Sequence, residues 1–197
     1  MLPVGIRIGW TGKLPCRGDF VTGGARLPVF SWFDAWAAEG MVAVRDAGGP
    51  AADAFLTSDL LRVVAAAGTL GPAPVLAVIG PGMDRAARLY PFMIAAELSD
   101  NVHPGETIQT ASTWFEEAEE VFLNALAPDF EPDMLSGLIA GLPELSLPSG
   151  PGTGMAYGPL GATPVVSTAP PRLTMLFGGA TKEQLGPGFA ASRFSRP

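Results

Sequence analysis

The chain has 197 residues, 48% of them hydrophobic and only 16% charged, with a formal net charge of −7. That composition excludes a disordered chain, which lacks the apolar surface to offset its ordering entropy. It also excludes a nucleic-acid binder built on a basic stripe, and the length fits one domain.

Residues 4–10 (VGIRIGW) read as a first strand, short, β-branched and closed by glycine. A long loop rich in Gly and Pro, TGKLPCRGDFVTGGARLP, follows over residues 11–28; loops of that length inside a domain are often functional. Residues 30–47 predict a helix, because Phe30, Phe33, Ala37, Met41 and Val44 recur at helical spacing with Trp36 alongside. Gly48-Gly49-Pro50 stops it, and a short helix is expected over 51–57.

Three apolar runs, 60–67, 74–79 and 90–98, then predict a strand meander. Pro91 confines the third strand to an edge or to a strand start. The clearest helix is 106–127, with Ala111, Trp114, Phe115, Ala118, Val121, Phe122, Ala125 and Leu126 on one face. Glu116, Glu117, Glu119 and Glu120 fall mainly off that face, and Thr113 with Glu116 has capping-box spacing. A short helix over 132–140 precedes a Gly/Pro/Ser-rich loop, 143–162, expected to be exposed and mobile. Late strands fit 163–168 and 172–177, and the rest of the tail is irregular.

Charge is placed unevenly. Eight basic residues, Arg7, Lys13, Arg17, Arg26, Arg45, Arg62, Arg85 and Arg88, precede Leu89 beside seven acidic ones. Residues 89–171 then hold eleven Asp and Glu and no Lys or Arg, the pattern of a solvated acidic face. A lone cysteine, Cys16, rules out an internal disulfide and points to a reducing compartment. The N-terminus lacks the charged and apolar regions of a secretory signal, and no apolar run approaches the roughly 20 residues needed to span a bilayer. A cytoplasmic protein without direct membrane insertion is expected.

Catalytic signatures are missing. Gly12-Lys13 lacks the upstream glycine and following hydroxyl of a phosphate-binding loop, and no G-x-G-x-x-G follows a strand. No G-x-S-x-G occurs, Cys16 and His103 are the only possible thiol–imidazole pair, and a zinc site would need more Cys or His. The expectation is a non-enzyme with no cofactor and no metal. Two loops carry what chemistry there is: GWTGKLPCRGDF, with Lys13, Arg17, Gly18, Asp19 and Phe20, and PGMDRAARLYPF, with Asp84, Arg85 and Arg88. Arginine's fork suits bidentate carboxylate pairing, so Asp19 and Asp84 are expected to pair with arginines and join the loops. The joined loops are either a partner site or a structural ion-pair lock. Trp32 and Trp36 are candidate partner anchors, although tryptophan at helical spacing is more often core.

At these residues a family resemblance emerges. GWTGKLPCRGDFV followed by LPVFSWFDAWAAEGM resembles the opening of the TagF (ImpM) family of type VI secretion-associated proteins: Gly-aromatic-x-Gly-Lys-Leu-Pro, then Gly-Asp-Phe, then a helix with W-D-x-W. The block LLRVVAAAGTLGPAPVLAVIGPGMDRAARLYPFMIAAEL is similar to that family's strand pair followed by P-S-x-D-x-x-G-R-x-x-P, and TWFEEAEEVFLNAL to its acidic helix. The chain departs from the pattern at Thr11, at Trp32 (a displaced first tryptophan), at Gly82 (for Ser) and at Ala87 (for Gly). The resemblance covers residues 5–142, within one domain over 1–197. It implies a three-layer αβα arrangement around a mixed, largely antiparallel sheet. It further implies a post-translational repressor of type VI secretion, linked to threonine phosphorylation, that binds a forkhead-associated scaffold protein of the apparatus. A structural accessory subunit, or an enzyme using the Asp/Arg loops, is the alternative.

Overall fold

A computed structural model describes residues 6–145, 147 and 149–171. Arg7–Lys13 (β1) and Phe20–Gly24 (β2) form an antiparallel hairpin. The expected long loop after the first strand therefore holds a second strand. A side chain at Gly23 would collide with the Trp10 indole, so β2 lies on β1 only because it is glycine-rich, and that hides it from a propensity reading.

Val29–Ala47 (α1) buries Val29, Phe30, Phe33, Ala37 and Val44, close to the expected face. Gly48, at φ 85°, ends it by donating its N–H to Arg45 O at 3.2 Å, and Gly49–Leu56 (α2) follows. Leu61–Ala65 (β3), Val75–Gly80 (β4) and Phe92–Glu97 (β5) are the predicted antiparallel meander. All three are buried along their whole length. Pro91 stands just before β5, so β5 can occupy the middle of the sheet, paired to both β1 and β4.

The predicted 106–127 helix is two helices, Pro104–Thr110 (α3) and Ser112–Ala125 (α4), which break at Ala111. The expected apolar face is nevertheless buried from Ala111 to Ala125, with Leu126 partly so. No side-chain cap forms at the start of α4, so the Thr113–Glu116 spacing is not a capping box. A 3-10 turn at Pro132–Met134 leads into Leu135–Ala140 (α5).

The Gly/Pro/Ser-rich stretch departs from expectation, because Met155–Gly158 (β6) lies within it, wholly buried and paired to β3. Val165–Ser167 (β7) matches the first late strand. The expected strand over 172–177 lies outside the described residues.

Among the described residues seven strands form one sheet in the order β2-β1-β5-β4-β3-β6-β7, and each pairing is antiparallel. Alternate side chains point to opposite faces of a strand, and both faces are covered. Val63, Ala65, Ala77, Ile79 and Met93 pack with α1 and α2. Val64, Leu76, Val78, Ile94 and Phe92 pack with α3, α4 and α5. This is the three-layer αβα arrangement. Each large side chain so buried contributes about 1.5–3 kcal/mol of transfer free energy, which fixes both helical layers to the sheet. Among the described residues no helix is long and apolar enough to cross a membrane.

Candidate functional site

The sheet brings the two distinctive loops to one of its ends. Lys13 closes β1 opposite Phe20, and Gly80 of β4 pairs with Phe92 at the start of β5. The 81–91 connection therefore lies beside the β1–β2 turn. Gly82 sits where the loops cross, and a side-chain carbon there would fall 2.6 Å from Lys13 O. Residues 83–89 fold on themselves, with a Met83–Leu89 bridge and Ala87 N–H bonded to Asp84 O at 2.8 Å.

Asp84 is the centre of the arrangement. Its side chain is wholly buried. Oδ1 accepts the backbone N–H groups of Ala86 and Arg88 at 2.9 and 3.0 Å. Oδ2 accepts Lys13 Nζ at 2.8 Å and Arg88 Nε at 2.7 Å. Burial alone would raise this carboxyl's pKa, but the bonds from Lys13, Arg88 and Ala86 outweigh it and hold the group well below the ordinary carboxylate range. Lys13 is the stronger ionic partner, since its side chain is 9% exposed while that of Arg88 is 61% exposed and screened.

Two further bonds cross between the loops. Arg88 Nη2 donates to Gly18 O at 2.6 Å, and Arg85 N–H donates to Arg17 O at 2.8 Å. The expected arginine pairing between the loops is not what forms: Asp84 crosses to the first loop through Lys13 and pairs with an arginine, Arg88, only within its own loop, and the expectation fails outright for Asp19. Asp19 is exposed, forms no ion pair among the described residues, and accepts its neighbour's N–H, Phe20 N, at 2.9 Å. It lies on the rim because the turn closing at Leu14–Arg17 carries the next residues outward.

Aromatic rings continue the site onto α1. Lys13 Nζ lies 5.1 Å from the centre of the Phe20 ring, a cation–π contact. Phe20 is 51% exposed and meets Tyr90 edge-on at 4.8 Å; Tyr90 reaches Phe33 at 6.2 Å, and Phe33 reaches Trp36 at 6.0 Å. Trp32 stacks on Trp36 at 5.5 Å, and Trp36 Nε1 donates to Pro171 O at 2.7 Å. Both tryptophans are half-buried against the α1 core, between the core and anchor roles. The Tyr90 hydroxyl, 3.3 Å from Asp34 O, is pushed up to about 12 by burial and by the Asp34 charge.

Cys16, Arg17, Phe130, Glu131, Pro132 and Asp133 line an open concavity of about 410 Å³. His103 is not in its lining. Burial raises the Cys16 thiol pKa, opposite to the depression that activates a thiolate.

Sequence reasoning missed a second buried ion pair. Arg62 of β3 donates through Nε and Nη2 to Glu119 Oε1 and Oε2 at 2.7 and 2.8 Å. Glu119, expected off the apolar face, is thus a buried member of α4. The available signal was an arginine inside the apolar run LLRVVAAA, which requires a buried partner.

Ala87 has φ 59°, the only positive value of a non-glycine residue among those described. The left-handed region costs an L-residue about 1–2 kcal/mol, of which glycine's extra unfolded-state freedom returns part. Ala87→Gly is therefore expected to stabilise by about 0.5–1 kcal/mol, read as a rise of roughly 1–3 °C in thermal unfolding.

Residues 9–142 match the sequence model of the TagF N-terminal domain, described as type VI secretion system-associated. The chain is also similar to the crystal structure of PA0076 from Pseudomonas aeruginosa PAO1, with a TM-score of 0.65 and 38% identity. That similarity covers 72% of this chain and 64% of the PA0076 chain, just under two thirds of the latter's length. No curated protein matches. With the family match extending from β1 through α5 and containing both joined loops, the chain belongs to the TagF family of type VI secretion-associated proteins.

Proposed function

We propose that this chain is a cytoplasmic, post-translational repressor of type VI secretion that acts by direct contact with a forkhead-associated scaffold protein of the apparatus, without catalysis. One observation carries the reading beyond family membership. The buried centre of the loop pair, Lys13–Asp84, is fully engaged, while Arg17, Gly18, Asp19, Phe20, Arg85 and Arg88 present an exposed rim whose backbone is tied across the loops by hydrogen bonds. A group with all its oxygens in hydrogen bonds suits holding a surface better than moving protons, and a preorganised surface lowers the ordering cost of binding.

Co-purification of the chain with the forkhead-associated protein, combined with a secretion assay on overexpression, tests the reading. The expected result is a complex and reduced secretion. No complex, together with normal secretion, overturns it. Constant stoichiometry of the chain in the purified apparatus would instead identify a structural subunit.

A further inference from the structure

All eight basic residues before Leu89 are described, and five are in ion pairs: Arg7 with Glu97, Lys13 and Arg88 with Asp84, Arg45 with Asp46, and Arg62 with Glu119. Among the described residues Arg17, Arg26 and Arg85 have no ion pair. Two of these three are neighbours. The Arg85 backbone N–H donates to Arg17 O at 2.8 Å, and an Arg85 terminal nitrogen reaches over Gly18, lying 3.9 Å from where a side-chain carbon on that glycine would sit. Arg88 approaches Gly18 too, bonding its carbonyl at 2.6 Å while Nε holds Asp84. Two guanidinium groups, of Arg85 and Arg88, thus meet at Gly18, next in the chain to the unpaired Arg17, on backbone pinned by the buried Asp84 carboxylate.

The surroundings select the kind of anion. Asp19 is exposed in the same turn, and Glu131 and Asp133 line the same concavity as Arg17. A broad anionic sheet, such as a lipid surface, would press against those acids and against a chain of net charge −7. A single carboxylate would not. Phe20, half-exposed and braced edge-on by Tyr90, offers an apolar contact beside the arginines, and aromatic residues with arginine are the composition of interface hot spots.

We propose that Arg17 and Arg85 form a two-guanidinium clamp over Gly18 for a carboxylate of a partner protein, with Phe20 taking an adjoining apolar side chain. The inference rests on the contact-repressor reading and gives that contact its chemistry. Each guanidinium fork can donate two parallel bonds to a carboxylate.

The test is an NMR titration of the isotope-labelled full chain with a short peptide of alternating Glu and Leu, against its Lys/Leu counterpart. Arg17→Ala/Arg85→Ala is the comparison protein. Both side chains are exposed, so its thermal unfolding is expected to match the parent. Saturable shifts at residues 17–20 and 85–88 are expected with the acidic peptide alone. They should weaken roughly tenfold or more in the double variant and weaken as salt rises from about 0.05 to about 0.5 M. No saturable shift, equal response to the Lys peptide, or undiminished binding by the variant overturns the clamp. So does tighter binding to phosphatidylglycerol vesicles than to the peptide.

The forkhead-associated protein separates the two readings. If the parent binds it and the double variant loses tenfold or more, both stand. Parent and variant binding it equally removes the clamp and leaves the repressor. If the parent does not bind it, that partner assignment falls, while the peptide titration still decides the clamp.

Discussion

Asp84→Asn is expected to lower the thermal unfolding midpoint by roughly 10 °C, the scale of breaking a buried ion pair in a domain of this size. The amide keeps one oxygen for the N–H groups of Ala86 and Arg88. Its NH₂, however, replaces the oxygen that accepts Lys13 and Arg88. The Lys13 ammonium, 9% exposed, is then buried without an anion. Lys13→Met in the same chain should restore part of the loss, because it removes the stranded charge. Arg88→Ala should cost far less, since Arg88 is 61% exposed.

The pH dependence follows from the same carboxyl. Its folded pKa lies below the ordinary value of 3.8, so its contribution is present in full above that value. The contribution is lost as the pH falls below 3.8 toward the folded value. The acid limb of a stability-versus-pH profile should therefore be shallower in Asp84→Asn than in the parent. Parallel acid limbs, or an unchanged unfolding midpoint, would show that Asp84 does not hold the loops.

The second large effect is expected at Arg62–Glu119. Both side chains are about nine-tenths buried, the bond is bidentate, and the Arg62 guanidinium also lies 5.4 Å from the centre of the Phe115 ring. Glu119→Ala strands the arginine between β3 and α4 and should cost about 3–5 kcal/mol in denaturant unfolding. Arg62→Met/Glu119→Leu removes both charges and should recover most of it. Equal losses in the single and double variants would mean that shape at this position, and not charge, stabilises the α4 layer.

Arg62 and Glu119 show why one class of contact was hidden. They stand 57 positions apart, and nothing local to either names the other. Lys13 and Asp84, 71 positions apart, were each conspicuous as loop residues, yet the expected carboxylate partners were arginines. A fork is the better bidentate donor, but the end of β1 delivers the lysine to the buried side and leaves the arginines on the rim. Asp19 departs from expectation because chain direction after a turn decides which charges face inward.

From the sequence alone come the elements with strong burial periodicity: α1 through Phe30, Phe33, Ala37 and Val44, the β3–β5 meander through continuous apolar runs, and the α4 face from Trp114 to Ala125. Also legible were the two loops and the family. Those features are local, since hydrophobic spacing reports which side of an element meets the core. Tertiary structure decided the rest. β2 and β6 are strands because β1 and β3 offer them backbone hydrogen bonds, which leave little trace in side-chain pattern. Sheet order put the two loops at one end, and only that juxtaposition buried Asp84 with Lys13 while leaving Arg17 and Arg85 side by side in solvent, because pairing between distant segments is set by where the backbone brings them and not by their neighbours in sequence.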